Sequence, residues 1–206
     1  MTVAGPPAAI ILAGGRASRL GGADKAQIEI GGMPLIASVC AAVAGCAPIV
    51  IAGPDALGGP GIRTVREQPP FGGPVAGLAA ALPLVAGAER VWLLASDLPR
   101  AADIVRQVER AGFPEEVDAV ILQDADGHDQ PLAGLYRVSA LRRALAALGE
   151  PTNASLRRLI APLTIMRVRD AEGASSDLDT WDDIAAYRAA QEHGTMDEDR
   201  RDRSHD

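Results

Sequence analysis

The residues 12–25, LAGGRASRLGGADK, end an apolar run on bare backbone and positive charge. Gly14 and Gly15 leave main-chain N–H groups unshielded by side chains, and oriented N–H groups in such a turn form a concave anion site. Arg16, Arg19 and Lys25 add mobile cations at its rim. The guest suited to that chemistry is a triphosphate or a similar polyanion. Two other phosphate loops are excluded by spacing. A P-loop needs glycine before its lysine and Ser or Thr after it, whereas Lys25 follows Asp24 and precedes Ala26. The segment AGGRASRL does not fit G-x-G-x-x-G.

Carboxylates supply the second kind of chemistry. In VWLLASDLPR an apolar strand runs into Asp97. A carboxylate at the end of a strand beside a phosphate loop is placed to hold Mg²⁺, which takes one or two carboxylates together with phosphate oxygens and water. The alternative is an N-cap for the helix that follows. Asp177 and Asp179 in DLDTWDDI offer a similar choice. Asp179 or Thr180 would cap a last helix with Asp182 and Asp183 in its first turn, or an aspartate would complete the metal site. His128 is either a loop residue or a catalyst. Arg157 and Arg158 form a solvated helix face or neutralise a phosphate.

The elements that must position these groups follow from hydrophobic periodicity. Strands are predicted at 8–12, 49–52, 62–66, 91–95, 118–122, 132–136 and 164–168, and helices at 35–44, 75–85, 101–111, 139–148, 154–160 and 181–191. Their alternation predicts a mainly parallel α/β sheet covered on both faces, with ligands at the carboxyl ends of its strands. Between 118–122 and 132–136 only the loop QDADGHDQP intervenes, too short for a crossover helix, so one strand there should run antiparallel.

The 206 residues read as a single domain, 1–194, followed by a charged tail, 195–206, without apolar anchors. A net charge of −7 and an aromatic content of 3% argue against nucleic acid as a partner, since both phosphate neutralisation and base-stacking platforms are lacking. No apolar run has the length of a membrane span, and the N-terminal residues lack the charge pattern of a secretory signal. Cys40 and Cys46 match neither a disulfide framework nor a metal spacing and read as buried free thiols. A cytoplasmic location is expected.

The pattern L-A-G-G-x-x-x-R-L-G-G-x-D-K, together with IGGMPL, GGPVAGL, ASDLP, DQPLAGLYR and DLDTWDDI, resembles the molybdenum cofactor guanylyltransferases of the nucleotide-diphospho-sugar transferase-like superfamily. The resemblance implies a three-layer α/β/α sandwich with one antiparallel strand, GTP and molybdopterin as substrates, Mg²⁺ as cofactor, and handover of the product to a molybdoenzyme or its chaperone. It implies nucleotide contacts at Leu12, Ala13, Gly14, Gly15, Arg19, Lys25, Ala52, Gln68 and Asp97. Catalytic roles fall to Arg19, Lys25 and Asp97, and metal ligation to Asp97, with Asp179 as the candidate second carboxylate. It places His128, Asp129, Gln130 and Arg137 on the acceptor side. Three positions depart from the family pattern: Ala52 stands where an asparagine is common, Gln68 where an aspartate is, and the acidic DLDT replaces an asparagine-rich motif. A cytidylyltransferase or other nucleotidyltransferase acting on a related phosphorylated molecule, and a non-catalytic nucleotide-binding regulator, remain open.

Overall fold

The computed structural model describes residues 5–14, 28–30 and 32–176, together with 185 and 187. Gly15, Arg16, Arg19, Lys25, Asp177, Asp179, most of the predicted helix 181–191 and the tail lie outside the described residues.

Alternation of apolar side chains across each strand builds two cores. In β1 (Ala8–Leu12), residues Ala8, Ile10 and Leu12 face one core while Ala9 and Ile11 face the other, which is why this strand is apolar throughout. The sheet continues with β4 (Ile49–Ala52), β5 (Ile62–Val65), β6 (Arg90–Ala95), β7 (Ala119–Gln123), β8 (Asp129–Arg137) and β9 (Ile165–Arg169). A short hairpin of β2 (Glu29–Ile30) and β3 (Met33–Pro34), which periodicity does not predict, stands apart. On one face lie α2 (Pro74–Ala81), α4 (Val138–Leu148) and α5 (Leu156–Ile160); on the other lie α1 (Leu35–Ala42) and α3 (Ala101–Ala111). The predicted helix 75–85 divides in two. At Pro83 the helical N–H is missing, and the chain tightens into a 3₁₀ turn over Leu82–Val85.

The seven strands lie in the order β5-β4-β1-β6-β8-β7-β9. All neighbours are parallel except β8, which is antiparallel to both β6 and β7, as the short 123–129 connection requires. From β1 the chain moves outward to β4 and β5, then returns to β6 on the other side. The switch point of the sheet therefore lies between the carboxyl ends of β1 and β6, where open α/β sheets bind ligands. Among the described residues no helix is long and apolar enough to cross a membrane. Cys40 and Cys46 are free and half-buried, and burial, reinforced by Glu109, pushes the Cys46 thiol up to about 11.

The chain leaving β9 is fixed by one buried carboxylate. Asp170 accepts hydrogen bonds from the Ala174 N–H (2.9 Å), the Ser175 N–H and hydroxyl (both 2.7 Å) and the Gln107 amide (3.2 Å). Burial by itself would raise this carboxyl, but the bonds donated by Ser175, Ala174 and Gln107 outweigh it and hold it below the usual carboxylate range. Arg100 reaches the same turn, donating to the Glu172 carbonyl (2.5 Å) and carboxylate (3.0 Å). Because its folded-state pKa is depressed, Asp170 contributes stability above its unfolded value and loses it as pH falls through the lowered one. The variant Asp170→Asn should cost roughly 2 kcal/mol at pH 7. In urea titrations across pH 3–7, the gap from the wild type should narrow below about pH 4.

Candidate nucleotide-binding site

The switch point brings Gly14 and Asp97 to one edge of the sheet, although Asp97 is not among the residues lining the cleft described below. Leu12 is the register partner of Ala95, and the Ser96 N–H donates to the Leu12 carbonyl at 3.1 Å. The glycine turn after β1 and Asp97 after β6 therefore leave adjacent strands at the same edge. Asp97 is half-buried, directly after the buried Ser96. Helix α3 begins at Ala101 with Arg100 in the N-cap position, so Asp97 lies three residues upstream of the cap and does not fill it.

Leu12, Gly14 and Ala52, all expected at a nucleotide site, line one cleft of about 400 Å³. Its other walls are Glu67, Phe71, Gly73, Pro74, Gly77 and Asn153. The ends of β1 and β4 are drawn together by the Ala13 N–H, which donates to the Ala52 carbonyl at 2.9 Å. Gly53 permits this approach, for a Cβ there would lie 2.9 Å from the Ala13 carbonyl oxygen. Ala13 is half-buried and packs with the second core rather than lining the cleft. Gln68 is exposed and is not among the lining residues; its neighbour Glu67 is.

Glu67 also builds the rim. Its Oε1 accepts the Phe71 N–H at 2.8 Å. That bond supports Phe71 in a left-handed backbone conformation (φ 65°), uncommon for a bulky residue. Phe71 is 53% exposed. The Arg66 guanidinium stands 5.4 Å from the ring centroid, within the range of a cation–π contact. At the same rim Asn153, also left-handed (φ 58°), donates its N–H to the Gly72 carbonyl at 2.7 Å. Gly73 takes φ 89° as the residue preceding α2, a conformation that favours glycine. The sequence carries a faint signal for Asn153, since asparagine in PTNAS is a residue type that tolerates this conformation. Nothing in the sequence marks it as part of a cleft formed by residues from the first half of the chain.

The remaining candidates divide between two places. Asp129 pairs with Gln123 at the carboxyl end of β7, and with His128, Arg157 and Arg167 it lines a second cleft of about 590 Å³ beside α5. Arg167 grips the Asp129 carboxylate through two hydrogen bonds (2.7 and 2.8 Å) and holds it below the usual carboxylate range. Gln130 donates instead to Asp124 at 2.9 Å. Arg158 is absent from this lining; its N–H is capped by the Ser155 hydroxyl at 3.2 Å. Arg137 is at the opposite edge of the sheet, paired in register with Arg90, the first residue of β6. There it donates to the carbonyls of Val117, Pro114 and Glu115 and pairs with Glu89 at 3.2 Å. Asp129 and Arg137 are the two ends of β8, a nine-residue strand. A strand with one end at the cleft cannot place its other end there, so Arg137 serves the fold.

Magnesium prefers hard oxygen donors, and the Asp97 carboxylate at the crevice between two strand ends is of that kind. Asp124, Asp126 and His128 also bring potential ligand atoms within 4.8 Å of one another. Asp124, however, accepts the N–H groups of His128 (2.8 Å) and Asp126 (3.0 Å) as well as the Gln130 amide, which makes it the organiser of the β7–β8 turn.

A mixed seven-stranded sheet between two helical layers, with a cleft at the carboxyl ends of β1 and β4, defines a three-layer α/β/α protein of the nucleotidyltransferase type. The chain belongs to the MobA-like NTP transferase domain family, whose profile matches residues 9–169. It is 36% identical over 154 residues to a molybdenum cofactor guanylyltransferase of Bradyrhizobium sp. (strain ORS 278), covering 67% of this chain and 71% of the relative. It is 40% identical over 146 residues to a probable molybdenum cofactor guanylyltransferase of Nostoc sp. (strain PCC 7120 / SAG 25.82 / UTEX 2576), covering 66% and 69%. Among solved structures it resembles the molybdopterin-guanine dinucleotide biosynthesis protein A of Archaeoglobus fulgidus, with a TM-score of 0.63, 19% identity and coverage of 90% of this chain and 99% of that one. The 4-diphosphocytidyl-2C-methyl-D-erythritolsynthase of Anaerococcus prevotii DSM 20548 gives 0.65, 16%, 91% and 99%. At these identities the structural likeness establishes the fold.

Gly77 forms part of the cleft floor, where a Cβ would lie 3.5 Å from Ala52 Cβ and 3.8 Å from Leu12 Cδ2, ordinary contact distances. Gly77→Ala should therefore fold and gain up to about 1 kcal/mol from helix propensity. Gly77→Leu should obstruct the cleft. Titration with a fluorescent nucleoside triphosphate, beside thermal melts, should show binding weakened in the first variant and lost in the second.

Proposed function

We propose that this protein transfers GMP from GTP to the terminal phosphate of the molybdopterin cofactor and releases pyrophosphate. The observation that carries this reading is the cleft formed by Leu12, Gly14 and Ala52 at the end of β1, the strand that pairs with β6 leading into Asp97. It occurs in a chain of the MobA-like family whose relatives bear the guanylyltransferase name.

The backbone N–H groups of Gly14 and Gly15 cradle the triphosphate, and Arg19 and Lys25 bind its phosphates. These roles for Gly15, Arg19 and Lys25 rest on the sequence motif. Leu12, Ala13 and Ala52 border the nucleoside, and Gln68 is available to the ribose side. An oxygen of the acceptor phosphate attacks the α-phosphorus in line. The new P–O bond forms as the bond from the α-phosphorus to the α,β-bridging oxygen breaks, and that oxygen leaves with its electron pair on pyrophosphate. A phosphate monoester is largely ionised at neutral pH, with a second pKa near about 6, so no strong general base is needed. Catalysis then consists of positioning and of stabilising charge on the non-bridging oxygens. Asp97, with Asp179 as a second carboxylate, would hold Mg²⁺, which supplies charge neutralisation between the triphosphate and the incoming phosphate. We place the reaction in the cytoplasm, with the product passed to a molybdoenzyme or its chaperone.

Incubation with each of the four nucleoside triphosphates, Mg²⁺ and molybdopterin, followed by mass analysis, should yield the guanine dinucleotide and pyrophosphate from GTP. A product from CTP would redirect the assignment to a cytidylyltransferase. Binding without pyrophosphate release would make the protein a nucleotide-binding regulator. Lys25→Ala and Asp97→Ala should each lower turnover by about 10²–10³-fold with unchanged circular dichroism. Near-wild-type turnover in either folded variant would refute the site.

A further inference from the structure

Phe71 lines the 400 Å³ cleft from the loop between β5 and α2. Its left-handed backbone (φ 65°) is costly for a bulky residue and free for glycine. The surroundings impose that conformation. The Phe71 N–H is held by Glu67 at 2.8 Å, and the two residues that follow are tightly placed. A Cβ on Gly72 would lie 2.8 Å from Ala76 Cβ, and Gly73 takes φ 89° before α2. Backbone demands thus account for glycine at 72 and 73, and the same demand would favour it at 71. Phenylalanine stands there instead. Burial does not account for it. Phe71 is more exposed than any other large apolar side chain described, and it belongs to neither core of the sheet. A rule of local structure broken in this way, at the edge of a cleft, points to function.

We infer that Phe71 is a ligand-contact residue whose ring packs against the base of the bound nucleotide, adding affinity without choosing among bases. This inference rests on the nucleotide reading of the cleft given above. A phenyl ring has neither a cation nor a hydrogen-bond donor to offer a phosphate. Of a nucleoside triphosphate, the base is the part with an aromatic face. Every base has one, so the contact is blind to the hydrogen-bonding edges. Leu12, Ala52 and Pro74 share the cleft with Phe71, so apolar ligand surface meets apolar neighbours there. The Arg66 guanidinium, 5.4 Å from the ring centroid, restrains the exposed ring through a cation–π contact. A restrained ring on a fixed backbone loses less freedom when a ligand arrives. Contact with a base removes from water the aromatic surface that folding leaves there.

The test uses the full chain with Mg²⁺ and no acceptor. It measures binding of GTP, ATP, CTP and inorganic tripolyphosphate by calorimetry, beside thermal melts. Phe71→Gly removes the ring, suits the left-handed backbone and keeps the N–H to Glu67, so it should melt no lower than the wild type. Each nucleotide that the wild type binds should weaken by a similar factor, about tenfold, while tripolyphosphate is unchanged. Phe71→Leu keeps an apolar side chain without the ring and should lose affinity part-way. Phe71→Tyr keeps the ring and should bind as the wild type does. Unchanged GTP affinity in both Phe71→Gly and Phe71→Leu would overturn the assignment. An equal loss for tripolyphosphate would do the same, as the mark of a displaced loop, and so would a loss confined to one base. A melting temperature of Phe71→Gly well below the wild type would assign the ring to the fold and also overturn it. If the wild type binds no nucleoside triphosphate, the nucleotide reading falls and this inference with it. Wild-type binding that survives in Phe71→Gly removes only the role of Phe71.

Discussion

The parallel pairing of β1 with β6 sets the position of everything else at the site. Leu12 opposite Ala95, locked by the Ser96 N–H on the Leu12 carbonyl, makes the two strands end together. A shift of one residue would exchange the two cores along the strand, setting side chains now packed under α2 beneath α1 and α3. The burial of Ala8, Ile10 and Leu12 on one face and of Ala9 and Ile11 on the other therefore fixes register, and register fixes the spacing between the glycine turn and Asp97. The cleft is a consequence of core packing.

Strands buried on both faces were the most legible part of the molecule. The run AAIIL and the run IVIA bound β1 and β4 at the residues expected from the sequence, because continuous apolar runs ended by glycine leave little choice. The antiparallel β8 was also readable, from the shortness of the connection before it. Its start was not. The alternation begins at Asp129, before Pro131, and a proline with polar neighbours reads as loop. The β2–β3 hairpin escaped for the opposite reason: two residues per strand carry no period. Helix α5 begins later than expected because Ser155 caps it by accepting the Arg158 N–H.

The site was legible in proportion to how local it is. Gly14 and Asp97 each follow closely on a strand, so their place at the same edge of the sheet could be read from a few residues. The side wall could not. Glu67 and Gln68 are equally polar neighbours, and only the turn that directs the Glu67 carboxylate to the Phe71 N–H separates the one that lines the cleft from the one that faces outward. Asn153 enters from the far side of α4, so its place depends on how that helix packs over the sheet, a long-range property with no local signal.

An acidic chain that holds a polyanion faces an electrostatic problem, and the described ion pairs sharpen it. Arg100, Arg106, Arg137, Arg143 and Arg167 each face a carboxylate: Asp103 for the first two, then Glu89, Asp118 and Asp129. These arginines spend their charge on the fold and offer little to a ligand at the carboxyl edge. Long-range attraction by a net charge of −7 is likewise unfavourable for a triphosphate. Affinity for such a ligand must therefore be short-range. The sources the proposed site offers are main-chain N–H groups at the end of β1 and the cations of residues 16–25, which the motif concentrates in one short segment. A guest recognised this way is held by its phosphates wherever they fit, and any choice among nucleotides must come from elsewhere on the ligand.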